Sequence, residues 1–130
     1  MRVHNELGPG LREKPYENAL AVEFEELGIR FEQQPVFPIF YHGRAVGECI
    51  PDFSIQHETL IDVKSVDSLG ENERAQMLNY LRNTRYGLGL VVNFKNARLE
   101  WERLVLRIIQ HRWTQISTDD TNVRPAASLG

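Results

Sequence analysis

Eight consecutive residues, Gly87-Leu-Gly-Leu-Val-Val-Asn-Phe94, carry no charge. A run this apolar has no polar face to offer water. It reads as a strand buried on both faces, of the kind found in parallel pairs that are reached through a helical crossover. The preceding stretch supplies that crossover, because Met77, Leu78 and Leu81 recur at helical spacing and form the side that faces a sheet. Ser68-Leu69-Gly70-Glu71 has the form of a capping box, so the helix is expected from Ser68, as its cap, to about Arg85. These elements constrain the fold class to α/β.

Upstream, Arg30 to Tyr41 is extended in pattern, and Pro35 and Pro38 remove ladder donors, which suits an edge or bulged strand. His42-Gly43-Arg44 reads as a turn, Val46 to Ile55 as a second strand, and Thr59 to Val66 as a third. The three are expected to form an antiparallel meander. Gly8-Pro9-Gly10 breaks any regular element near the start. Pro15 suits the first turn of a helix and Gly28 its stop, which delimits a helix from about Lys14 to Leu27 with Tyr16, Leu20, Phe24 and Leu27 as its apolar stripe. Leu99 to Ile109 reads as one more strand, or a strand passing into a helix, with Trp101 packed. Beyond Ser117 no core pattern remains, so the domain is expected over 1–116 and a disordered tail over 117–130.

Two aspartates stand out within this frame. Nine residues separate Asp52 from Asp62, and Gln56-His57-Glu58 between them is polar enough to be a hairpin tip. Across an antiparallel pair the two carboxylates come side by side. Strand alternation puts Lys64 on the face of Asp62, and brackets both with Leu60 and Val66 rather than with a solvated row. Two carboxylates gathered in a partly apolar setting demand a cation, and Lys64 answers only one of them. A divalent metal is the economical complement, since magnesium takes hard oxygen ligands from a few carboxylates and completes its shell with water and phosphate.

Pro51-Asp52, Asp62-Val63-Lys64 and Gln76-Met-Leu-Asn-Tyr80, taken in order, resemble the signature of the PD-(D/E)XK nuclease superfamily in its RecB-like or exonuclease-like form. Gly10-Leu-Arg-Glu13-Lys-Pro-Tyr16 is similar to the GxxExxY motif that names one family within it. The resemblance spans residues 5 to 107. It implies a restriction-endonuclease-like αβββαβ core with a mixed central sheet flanked by helices. It also implies a helical glutamate that joins the strand carboxylates. Glu17 and Glu23 flank the apolar stripe on opposite edges; Glu17, in the first turns, is the expected ligand and Glu23 the alternative. The carbonyl of Val63 is implied as a further ligand, and Gln76 and Tyr80, four apart on one helical edge, as groups that position the nucleic-acid strand.

Composition bounds the rest. The 130 residues suffice for one domain with its own core. No apolar run approaches a membrane span and no signal-peptide pattern opens the chain, so a cytoplasmic location away from membranes is expected. Cys49 is the sole cysteine, which excludes an internal disulfide, and reads as a small apolar strand residue. Histidines 4, 42, 57 and 111 have no zinc-ligand spacing. The net charge of −3 conceals an asymmetry: residues 1–73 hold six Lys/Arg against fourteen Asp/Glu, whereas 74–112 hold eight against two. An acidic half suited to metal thus precedes a basic half suited to phosphate, with Arg74, Arg82 and Arg85 as candidate phosphate contacts.

The expected function is therefore a nuclease that uses Mg2+, with Mn2+ able to substitute, and hydrolyses phosphodiester bonds in nucleic acid, DNA ahead of RNA. Asp52, Asp62 and Glu17 would hold the metal, and Lys64 would orient the attacking water or stabilise the transition state. The rival is a nuclease-like domain that binds nucleic acid or a protein partner without cutting. Nothing in the chain weighs against a homo-oligomer.

Overall fold

The computed structural model describes residues 1–109 and 112–116, so the tail expected over 117–130 lies outside the described residues. Two helices open the chain, α1 (Arg2–Leu7) and α2 (Glu13–Glu26). Five strands follow: β1 (Phe31–Gln33), β2 (Phe37–Tyr41), β3 (Arg44–Cys49), β4 (Phe53–Ile55) and β5 (Thr59–Lys64). Then come α3 (Glu71–Thr84), β6 (Leu88–Asn93), β7 (Glu100–Ile109) and β8 (Arg112–Ile116). The main sheet has the order β1-β4-β5-β6-β7-β8, and β2 and β3 pair apart from it. Among the described residues only β5 and β6 run parallel, joined through α3 as the apolar run demands. The sheet is therefore mixed, and helix α2, strands β1, β4 and β5, helix α3 and strand β6 reproduce the expected αβββαβ core.

Strand alternation divides the core in two. Ile61 and Val63 of β5 join Phe53, Val92, Phe94, Tyr16 and Leu20 under α1 and α2. Leu60 joins Val91, Leu104, Met77 and Leu81 under α3. Tyr16 stacks on Phe94 with ring centroids 4.6 Å apart, and Phe24 meets Phe53 edge-on at 5.2 Å.

The meander is where structure and expectation part. The segment Arg30–Tyr41 is two strands, because Gln34 turns into the left-handed region at φ 56 ahead of Pro35 and redirects the chain. The segment Val46–Ile55 is likewise two strands: Pro51 has no N–H to continue a ladder, and the chain breaks across Ile50–Asp52. The short strands β1 and β4 stay in the sheet, whereas β2 and β3 leave it as a separate hairpin closed by His42 and Gly43, both at positive φ, as a two-residue primed turn requires. The helix cap also differs. Gly70, not Ser68, is the N-cap of α3, and its N–H is answered by Glu73 Oε1 at 2.8 Å. Glu100–Ile109 is a strand throughout, with no passage into a helix, and Arg112–Ile116 adds an edge strand that the pattern of the chain had not signalled.

Gly89 lies where α3 presses on the sheet. A Cβ there would come within 2.5 Å of Met77 Sδ and 2.7 Å of its Cγ. Met77 is buried, so it has little room to give. Gly89→Ala is expected to destabilise the protein by about 1 to 3 kcal/mol in urea unfolding, and an unchanged midpoint would show that this helix packs more loosely.

Candidate active site

The break at Pro51 creates the site. It places Asp52 just ahead of β4, one step beyond the pair Phe53↔Ile61, and therefore opposite Asp62 of β5. Each aspartate is strapped to the other's strand: the Asp52 N–H donates to Asp62 Oδ1 at 3.0 Å, and the Val63 N–H donates to Asp52 Oδ2 at 2.7 Å. These bonds replace ladder bonds that β4 is too short to make. They also leave Asp52 Oδ1 and Asp62 Oδ2 uncommitted to backbone. In a strand the N–H and C=O of one residue point to the same side, so the Val63 carbonyl is directed toward Asp52 as well.

Burial raises both carboxyls. Asp52 is pushed up to about 7, first by burial and then by the charge of Asp62, with Glu17 adding to it. Asp62 is pushed up to about 6 by burial, against the pull of the Asp52 N–H and of Lys64. Lys64 Nζ stands 3.5 Å from Asp62 Oδ2 and donates to Gln76 Oε1 at 2.6 Å, so the lysine and the α3 glutamine are joined directly. Tyr80, one turn further along α3, has its hydroxyl raised to about 12 by burial and by Asp62 and Asp52, and remains a proton donor at any working pH.

Of the two helical glutamates, Glu17 is buried, at 3% exposure. Its carboxylate is gripped by Lys14 Nζ at 3.1 Å, Gln33 Nε2 at 2.7 Å and Gln34 Nε2 at 3.1 Å. Glu23 lies on another edge of α2, 3.6 Å from Arg2. Among the described residues no three His, Cys, Asp or Glu side chains close on a single point. The donor set fits a hexacoordinate magnesium that retains several waters, not a closed all-protein cage. Once ionised, two adjacent carboxylates with a single ammonium beside Asp62 leave an excess of negative charge that a divalent ion would offset.

Several positioning residues escaped sequence reasoning. Gln34 bonds Glu17 through its side chain, and its N–H donates to the Asp52 carbonyl at 2.7 Å, so one left-handed residue ties the helical and strand carboxylates together. The only advance signal was the Gln-Gln-Pro break itself. Asn93, fully buried, donates to the Val66 carbonyl and to Glu100 and accepts from the Val66 N–H, clamping the exit of β5 just past Lys64. The residues of the Gly10-x-x-Glu13-x-x-Tyr16 stretch act as a latch. The Tyr16 hydroxyl donates to the Gly8 carbonyl at 2.5 Å and accepts from the Leu11 N–H, while Glu13 accepts from the Ser65 N–H at 3.3 Å.

One expected phosphate contact is not free. Arg74 is held by Glu102 at 2.7 Å and Glu71 at 2.9 Å, so part of the basic half is answered internally. Lys95 is similarly paired with Asp67. Among the described residues no helix is long and apolar enough to cross a membrane.

Asp52→Asn should be neutral or stabilising by up to about 1 kcal/mol in metal-free protein. The amide oxygen keeps the bond from Val63, and the repulsion with Asp62 disappears. A loss above about 2 kcal/mol in denaturant titration would mean that the carboxylate itself is structural.

A model of the PD-(D/E)XK nuclease superfamily matches residues 1–104. Among solved structures, that of SSO0001 is similar at 15% identity and a TM-score of 0.53, covering 88% of this chain and 55% of the other. An alkaline exonuclease (LHK-Exo) from Laribacter hongkongensis is similar at 17% identity and a TM-score of 0.46, covering 86% of this chain and 61% of its own. The chain thus spans a little over half the length of these structures, and the first likeness is one of fold. No curated protein matches in sequence. Members of the matched family are nucleases that generally use divalent metal ions, and with the match extending over most of its length, this chain belongs to the PD-(D/E)XK nuclease superfamily.

Proposed function

We propose that the chain is a metal-dependent nuclease that hydrolyses phosphodiester bonds in nucleic acid, DNA ahead of RNA, and that it falls in the GxxExxY group of its superfamily. The observation that carries the reading is the reciprocal strap between Asp52 and Asp62, which holds two carboxylates of raised pKa beside Lys64. Asp52, Asp62 and the Val63 carbonyl would hold Mg2+, with Glu17 contributing through water. A divalent ion bound there supplies a Lewis acid that makes hydroxide available at neutral pH and polarises a phosphoryl oxygen. Mn2+ would substitute, having similar ligand preferences.

The chain's own residues do the remaining work. Lys64 faces charge that grows on the phosphate, and its bond to Gln76 Oε1 fixes its direction before substrate arrives. Gln76 keeps its amide nitrogen for a phosphate or base, and Tyr80 donates a hydrogen bond without adding charge. The Gln33-Gln34 grip on Glu17 keeps that carboxylate from swinging into the two aspartates. Raised carboxyl pKa values favour a site that fills with metal as pH rises through 6 to 7.

The test is titration of the pure protein with Mg2+ or Mn2+ against labelled single- and double-stranded DNA and RNA. Cleavage that depends on the divalent ion, is stronger on DNA and is stopped by chelation is expected. Tight binding without cleavage under any ion would establish the silent-domain reading instead.

A further inference from the structure

We propose that the cleft between the β2–β3 hairpin and α3 is a track for unpaired nucleotides that leads into the carboxylate site, with bases stacking on the hairpin tip. The inference rests on the nuclease reading and adds the substrate class. The hairpin leaves the main sheet and stands over α3, anchored by Phe37 against Tyr86 with ring centroids 5.7 Å apart. Between the two lies a cleft of about 480 Å³, lined among others by Ile39, Cys49, Gln76, Asn79, Tyr80 and Asn83. Gln76, Asn79, Tyr80 and Asn83 form one stripe along α3, at steps of three and four residues. One end of the stripe, Gln76, holds Lys64 of the site. A strand lying in the cleft is therefore continuous with the point of cleavage.

The chemistry of the lining selects bases over phosphates. Gln76 Oε1 accepts from Lys64, Asn79 Oδ1 from Arg82, and Asn83 Nδ2 donates to the Asn79 carbonyl, which leaves the amide nitrogens of Gln76 and Asn79 and the amide oxygen of Asn83 as uncharged groups for a base edge; Glu48, also in the cleft, would repel a phosphate but accept from a base amino group. Such edges are exposed only in unpaired nucleotides, since pairing buries them. At the hairpin tip Phe40 and Tyr41 are 60% and 64% exposed, and Tyr41 stacks on His42 at 4.1 Å with an interplanar angle of 12°. Flat aromatic faces held open to solvent beside Arg44 are the elements of a base-stacking platform. The five residues of β2 extend roughly 17 Å, enough for a few nucleotides.

The test measures fluorescence anisotropy of metal-free protein with three labelled oligonucleotides of roughly 12 nucleotides: a DNA single strand, a blunt duplex, and a single strand in which most positions are abasic. The expected result is single-strand affinity roughly tenfold above the duplex, lost on the abasic strand. Phe40→Ala/Tyr41→Ala should weaken single-strand binding roughly tenfold with no change in salt slope, because stacking and not phosphate contact is removed. Equal binding of duplex or abasic strand, no binding at all, or an unaffected double variant would overturn the track. So would a wild-type dimer that the double variant converts to monomer, which would make the aromatics a contact between copies. Cleavage assays on the same preparations separate the two proposals. Divalent-dependent cleavage without preference for unpaired strands overturns the track alone. Preference for unpaired strands without cleavage overturns the nuclease reading and leaves the track supported.

Discussion

Asp62→Asn protein is expected to lose magnesium-dependent cleavage by roughly 10³-fold while remaining folded, and Lys64→Ala is expected to fall by a similar factor. The two substitutions remove different things. In Asp62→Asn the amide oxygen still accepts the Asp52 N–H, so the strand pairing survives, but the proposed anionic metal ligand and the ion-pair partner of Lys64 are gone. In Lys64→Ala both carboxylates persist, and what vanishes is the ammonium proposed to meet the developing phosphate charge, together with the bond to Gln76. Circular dichroism and thermal unfolding should show both variants folded, with Asp62→Asn no less stable than the parent in metal-free buffer. The kinetic comparison uses kcat and KM separately, because a group that acts on the transition state lowers kcat, whereas one that only binds substrate raises KM. Cleavage that survives in both purified variants at parental rate would place the chemistry elsewhere or in a contaminant.

The second large effect concerns stability and metal. A carboxyl raised in the folded state binds its proton more tightly there than in the unfolded chain. Its contribution is therefore full below an unfolded value near 4 and is lost as pH climbs through the folded value. For Asp52 and Asp62, with folded values of about 7 and about 6, the loss runs from roughly pH 4 to roughly pH 7. Metal-free protein should thus be more stable at pH 5 than at pH 8, by roughly 2 kcal/mol after discounting for the partial exposure of Asp52. Saturating Mg2+, if it takes the proposed site, is expected to act in the opposite sense: bound to the ionised pair it would add RT ln(1 + [Mg2+]/Kd) of stability and flatten or reverse the slope. Thermal melts across that range with and without Mg2+ measure both, and Asp52→Asn should blunt both. A metal-free protein that grows more stable from pH 5 to 8 would contradict the raised carboxyls.

How much of this was legible beforehand follows from the range over which each cause acts. The buried strand at 88–93, the crossover helix before it and the helix on Tyr16, Leu20 and Phe24 were readable because periodicity and an uninterrupted apolar run are local consequences of which faces must leave water. The facing aspartates were readable too, since strand alternation and a polar tip suffice to pair them. The GxxExxY stretch was visible as a pattern but not as a latch, because the partners of Tyr16 and Glu13 are a loop carbonyl and the Ser65 N–H, the latter far away in the chain.

What the residues determined unaided was the order of elements, the parallel pair, and the charged group Asp62-x-Lys64 on an otherwise apolar face. Tertiary structure alone decided that Gln34 and Pro51 break the expected meander, that the freed hairpin swings over α3, that Gly70 rather than Ser68 caps that helix, and that Arg74 is spent on Glu102. It also decided that Glu17 turns inward while Glu23 does not. The reason is physical: burial of an apolar face is written in a short window, whereas the fate of a turn, a cap or a lone charge depends on which distant partner arrives to satisfy it.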